Sequence, residues 1–202
     1  IYNTLDSEIT TKFNNKSSAE VSEDIGALYR HIEEASGDFE NWLLIENTNI
    51  SYPVMQGCDN SYYLKHLPND EYNPCGSIFI DFNSNVDDSN LILYGHNMRN
   101  DSMFGSLDLY CTESGYAENH NVLFLKYKNQ YRRFKLFSLH TTRYDSYSYN
   151  LNPVDVVDWA TKHQAESIWN SGIKVHSDSR FVTLSTCGNT EKEKLVLVWI
   201  ED

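Results

Sequence analysis

One stretch constrains this chain more than any other: Arg180-Phe181-Val182-Thr183-Leu184-Ser185-Thr186-Cys187-Gly188. A β-branched, apolar run ends abruptly in Ser-Thr-Cys and then a glycine. That reads as a buried strand delivering a cysteine to its mouth. A strand end beside a polar loop is where a nucleophile is held rigidly yet stays reachable. Free cysteine is also among the most buried residue types, so the same pattern suits a structural thiol. The strand alone leaves both readings open.

At 202 residues, 40% of them hydrophobic, the chain suits one domain with a real core. Fourteen tyrosines fit a β-rich protein. The formal net charge of −13 argues against nucleic acid or an anionic membrane as the main partner. Four cysteines, Cys58, Cys75, Cys111 and Cys187, show no C-x-x-C spacing, so free thiols are expected rather than a zinc site or a disulfide framework. No run of about eighteen apolar residues crosses a membrane. The chain opens on Ile1 with no signal peptide, and any membrane anchor is expected upstream of it.

Apolar spacing predicts two helices ahead of the main body. Leu5, Ile9 and Phe13 form one stripe. Ser17 and Glu20 offer a capping box for a second helix carrying Val21, Ile25, Leu28, Tyr29 and Ile32, which Gly37 closes. Residues 1–36 are therefore read as an N-terminal helical segment packed on a body spanning 37–202. In that body, strands are expected at 42–45, 50–56, 76–81, 91–94, across 121–143 with a turn at 128–130, and at 181–186 and 195–200. A helical turn capped by Asp59 or Asn60 and a short helix at 103–110 lie between them. One later helix, opened by Pro153 after Asn152 as cap, puts Val156, Trp159, Ala160 and His163 on one face. The fold expected is a mostly antiparallel β-barrel with two N-terminal helices and one helix inserted late in the chain. Asp87-Asp88, in a polar loop, reads as solvated. No metal or cofactor site is expected.

Seven histidines compete as partner to Cys187. A catalytic imidazole belongs on a rigid strand end beside a loop. His96 fits, following the Leu91-Ile92-Leu93-Tyr94 strand, with Gly95 allowing a sharp backbone turn. His140, near another strand end, is the alternative. A Cys–His pair performs acyl transfer: the thiolate attacks, the imidazole protonates the leaving amine, and a donor must meet the oxyanion. With no HExxH, phosphate loop or Gly-x-Ser-x-Gly, the zincin, nucleotide and serine-hydrolase classes drop out.

Thr183-Leu184-Ser185-Thr186-Cys187 resembles the TLxTC signature of sortases, the cysteine transpeptidases of Gram-positive cell surfaces. Leu93-Tyr94-Gly95-His96 with Asn97 resembles the family's histidine strand. Tyr52-Pro53-Val54-Met55-Gln56, Asp59-Asn60 with Tyr63-Leu64, Gly76-Ser77-Ile78-Phe79, and Asn97-Met98-Arg99 to Met103-Phe104 are similar to class B members, as are the N-terminal helices and the helix-bearing insertion. The resemblance covers essentially the whole chain from about residue 20.

It implies a closed barrel whose groove binds the C-terminal sorting peptide of a surface protein. Cys187 would attack the motif's Thr carbonyl, with His96 as acid and then base, and an amine of a peptidoglycan precursor would resolve the acyl-enzyme. The motif positions carry groove contacts onto Asn60, Leu64 and Ser185. The implied place of action is the outer face of the cell membrane or cell wall. One departure stands out. Sortases carry an arginine on the strand after the cysteine, and no arginine follows Cys187 here. Aligning the apolar strand sets Lys194 in that place, which keeps the charge but loses the planar two-pronged donor. Arg143 or Arg180 reaching in, or an enzyme of weak or altered activity, are the alternatives. Two other functions share these residues: a cysteine peptidase or amidase using water, and a sortase-like module that grips a peptide without turnover.

Overall fold

The computed structural model describes residues 30, 32–34, 37, 39–143, 146–187 and 193–202. Eight strands close into one barrel in the order β1-β2-β3-β4-β7-β8-β6-β5. They are β1 Trp42–Ile45, β2 Ser51–Met55, β3 Ile78–Ile80, β4 Asn90–Tyr94, β5 Val122–Tyr127, β6 Gln130–Arg143, β7 Phe181–Cys187 and β8 Glu193–Glu201. Six ladders are antiparallel, as expected. Two are parallel, β2–β3 and β4–β7, and the second of these builds the site.

Period-2 alternation sorts the side chains. Leu91 and Leu93 of β4, Val182 and Leu184 of β7, and Leu195, Leu197 and Trp199 of β8 fill the interior. Their neighbours in sequence face out and are covered by three separate layers. Short helix α1 (Leu109–Thr112) and α2 (Tyr116–Asn119) follow β4, and α3 (Val156–Glu166) follows β6. Val156, Trp159 and Ala160 of α3 pack on Phe137, Phe181, Val196, Val198 and Ile200, the outer face of β6, β7 and β8. Ile32, in the helical stretch 32–34, packs on Trp42, Leu44, Val122 and Phe124. Tyr63 and Leu64, from the turn Tyr62–Leu64, cover Phe79, Ile92 and Tyr94. The predicted first helix and the Ser17 capping box lie outside the described residues.

Asp155, not Asn152, caps α3: its carboxylate accepts from the Asp158 N–H at 2.9 Å. Asn152 is engaged elsewhere, accepting from Ser89 N–H and donating to Asp88 Oδ1 at 2.7 Å. That pairing also corrects the reading of the polar loop. Asp88 is buried, its other oxygen accepting the Asn85 N–H, while Asp87 alone is exposed.

A bulge between Leu136 and Ser138 of β6 shifts the pairing with β8 by one residue. Phe134, Leu136 and then Leu139 point inward, and Phe137 points out. The extra residue turns His140 to the outer face, under α3.

Candidate active site

The parallel β4–β7 ladder decides where the chemistry-bearing residues meet. Its last registered couple is Tyr94 with Ser185. Because the strands run the same way, His96 and Cys187 each lie two residues beyond that couple, at one mouth of the barrel. An antiparallel pairing would send them to opposite ends. The contact continues past the ladder: Gly95 N–H donates to Ser185 O, and Thr186 Oγ1 donates to Gly95 O at 2.8 Å. Gly95 is needed here for space rather than for a sharp turn. A Cβ there would lie 2.4 Å from Ile78 Cδ1 and 2.7 Å from Phe104 Cδ2.

On the other side of β7, the antiparallel β8 ladder sets Lys194 directly opposite Cys187. Arg180 stands just before β7, seven residues ahead of Cys187 and roughly 23 Å away at the rise of a β-strand, and donates to Val86 O. Arg143, on β6, pairs with Glu193 of β8, which sets it two strands and so roughly 10 Å across the sheet from β7. Of the three cations, Lys194 alone sits across from the cysteine.

A cleft of about 280 Å³ opens at this mouth, lined by Asn60, Leu64, His96, Ser185 and Lys194 among the expected residues. Phe79, Tyr94, Gly95 and Thr186 also line it. His96 is oriented by main chain: its Nε2 lies 2.7 Å from the Leu64 carbonyl oxygen. A carbonyl only accepts, so Nε2 carries a hydrogen and Nδ1 is the nitrogen left for proton exchange. Ser185 is buried, and its Oγ bonds the Tyr149 hydroxyl at 2.8 Å. The Tyr149 ring lies nearly parallel to that of Tyr94, with centroids 6.3 Å apart.

Asn60 does not cap the turn at Tyr62–Leu64. Asp59 takes that role, accepting from Ser61 N–H, Ser61 Oγ–H and Tyr62 N–H, which together hold its carboxyl below the usual range. The Asn60 amide instead donates to Asp81 Oδ2 at 2.7 Å and accepts the Phe82 N–H at 3.0 Å. Thr183 has a bolting role: its Oγ1 donates to Asn90 Oδ1, and Asn90 Nδ2 donates to Asn150 O. This ties β7, β4 and the loop bearing Tyr149 together. Tyr149 and Asp81 escaped the sequence reading, because neither stands in a motif and each acts on a partner distant in the chain.

His140, the alternative partner for Cys187, is buried beneath α3 and lies on β6 opposite Val196 of β8. Its ring neighbours His163, centroids 4.9 Å apart, and its Nε2 lies 3.9 Å from Glu166 Oε2. His163 is fully buried between Trp159, Tyr147 and His140, and neither ring nitrogen has a hydrogen-bond partner among the described residues. Burial lowers the pKa of both histidines, that of His163 to about 2. His140 belongs to this packed layer and not to the cleft lining. Cys58, Cys75 and Cys111 are free thiols, as expected.

The chain matches the sortase domain family over residues 43–200. It is 33% identical over 169 residues to sortase B of Listeria monocytogenes, covering 81% of this chain and 68% of that protein. To sortase B of Staphylococcus aureus it is 32% identical over 172 residues, covering 82% and 69%. The structure of Clostridium perfringens sortase B superposes with a TM-score of 0.75 at 30% identity, covering 86% of this chain and 99% of that one. A Staphylococcus aureus sortase B–substrate complex gives a TM-score of 0.75 at 25% identity, covering 91% and 90%. With the family's barrel, its histidine strand and its cysteine strand in parallel register, the chain belongs to the sortases, as a class B cysteine transpeptidase.

Proposed function

We propose that this enzyme cleaves the C-terminal sorting motif of a surface protein after its threonine and transfers the protein to an amine of the cell-wall peptidoglycan. The observation that carries the reading is the parallel register of β4 and β7, in which His96 and Cys187 follow the same couple to one mouth, with Lys194 across from the cysteine. The Cys187 thiol passes its proton to His96 Nδ1, the thiolate attacks the threonine carbonyl carbon, and Lys194 supports the oxyanion in place of the family's arginine. The C–N bond breaks, His96 gives the leaving amine its proton, and a thioester remains on Cys187. The incoming amine attacks that thioester, its proton passes to His96, and the thiolate departs.

Asn60, Leu64 and Ser185 line the groove that receives the peptide. The expected substrate is a pentapeptide resembling Asn-Pro-Gln-Thr-Asn or a variant ending in Thr-Gly. Sortases act at the cell surface, and an anchor outside this chain would hold the enzyme there. Among the described residues, no helix is long and apolar enough to cross a membrane.

The test is cleavage of a sorting-peptide library, with mass analysis of the enzyme and of the products with and without added amine. The expected result is an acyl adduct on Cys187 and amine-bearing product when amine is supplied. Cleavage by Cys187→Ala would overturn the assignment of the nucleophile. Product bearing only water, whatever amine is added, would make the enzyme a hydrolase.

A further inference from the structure

Asp81 follows β3 and is 8% exposed. Its main chain is fixed on both sides: its N–H donates to Ile92 O at 2.8 Å, and its carbonyl accepts from Ser84 N–H and from Gln56 Nε2. The carboxylate on this rigid mount receives three donors. Oδ1 takes the Asn83 N–H at 2.9 Å. Oδ2 takes both the Asn60 Nδ2 at 2.7 Å and the Tyr94 hydroxyl at 3.0 Å.

Asn60 and Tyr94 line the cleft, whereas Asp81 stands behind them. The bond to Asp81 leaves the Asn60 amide one way to face. Reversed, it would set its oxygen against the carboxylate and its NH₂ against the Phe82 N–H. So held, the amide has one N–H and one oxygen lone pair left over for a ligand. That pair of functions matches the alternating C=O and N–H of an extended peptide backbone.

We propose that Asp81 is a positioning residue for substrate binding: it locks the Asn60 amide in one orientation so that Asn60 reads the main chain of the bound sorting peptide. The proposal rests on the peptide-groove reading above. An amide free to rotate would spend part of its time with donor and acceptor exchanged, and would lose ordering free energy on each binding event.

The experiment compares kcat and KM of the full chain and of Asn60→Ala, Asp81→Ala and the double variant, on the peptide that the wild type cleaves fastest. Melting temperature and the rate of Cys187 alkylation by iodoacetamide are measured alongside. Asp81→Ala is expected to raise KM about tenfold, with kcat and alkylation rate little changed. In the Asn60→Ala background the same change should alter KM by less than about twofold. Asp81→Asn, which keeps the shape and the bond to Asn83, serves if the alanine variant does not fold.

Reversing the pair, Asn60→Asp with Asp81→Asn, should restore the melting temperature but not KM, since the N–H offered to the peptide has become an oxygen. An equal KM effect of Asp81→Ala with and without Asn60, or recovery of KM in the reversed pair, overturns the positioning role. A fall in kcat and alkylation rate alongside melting temperature makes Asp81 merely structural. A wild type that cleaves no peptide overturns the functional reading, and the proposal with it.

Discussion

The Leu64 carbonyl holds the imidazole of His96, at 2.7 Å from Nε2, and the missing side chain of Gly76 leaves the space that carbonyl occupies. Gly76 sits at φ +59 beneath the turn, and the next N–H, of Ser77, donates to Tyr63 O. A Cβ on residue 76 would lie 2.4 Å from Tyr63 O and 2.6 Å from Leu64 O. A residue far from the chemistry in sequence therefore sets the ring on which the proposed proton transfers depend.

Gly76→Ala is expected to cost about 1–3 kcal/mol of stability through backbone strain and to lower kcat/KM by displacing the Leu64 carbonyl. Gly172→Ala is the control. Gly172 also has positive φ, at +67, yet a Cβ there meets nothing within 4 Å. It should lower the melting temperature and leave kcat/KM alone. Equal activity losses in the two variants would sever the link between Gly76 and His96.

Gly95→Ala forces a methyl against Ile78 and Phe104 inside the barrel. Overpacking of this kind costs about 1–3 kcal/mol, and a chain of this size loses roughly 2–4 °C of melting temperature per kcal/mol. Ile78→Val deletes the Cδ1 that is met first, so the double variant should melt above Gly95→Ala. Simple additivity of the two losses would rule out the steric account.

Lys194→Ala is expected to lower kcat/KM tenfold or more if Lys194 meets the oxyanion, since removing one such donor costs about 10²–10³ in better-studied enzymes. Lys194→Arg restores the planar donor and should raise kcat/KM above the lysine enzyme. An unchanged kcat/KM in the alanine variant would remove Lys194 from the mechanism.

The His140–His163 pair makes the fold acid-sensitive. His163 is held neutral, with a folded pKa of about 2, lowered mainly by burial and also by His140. Burial likewise lowers His140, with Glu166 opposing it. An unfolded histidine takes up a proton near pH 6.5 that the folded one refuses, so stability falls as pH drops below that value, by up to about 1.4 kcal/mol per pH unit for each histidine. Urea unfolding at pH 7 and 5.5 should show the loss, and His163→Leu should reduce it, leaving no polar group of its own unsatisfied. The same slope in His163→Leu would place the acid sensitivity elsewhere.

The strand pattern and the helix face of Val156, Trp159, Ala160 and His163 were legible in the chain, because each follows from side-chain periodicity, which is a local property. The closure of the barrel was an expectation of the family resemblance. The Asn152 cap and the solvated Asp88 were misread for one common reason. Both side chains are satisfied by each other, across 64 positions of sequence.

By itself, then, the sequence determined the strand pattern and offered Cys187, His96 and Lys194 as candidates, because motif spacing and alternation are written residue by residue. Only the tertiary structure decided that β4 and β7 run parallel, which brings two strand ends to one mouth, and that a single-residue bulge in β6 turns His140 away under α3. Strand direction and register are settled by which faces are buried against one another, and that is a property of the closed barrel as a whole.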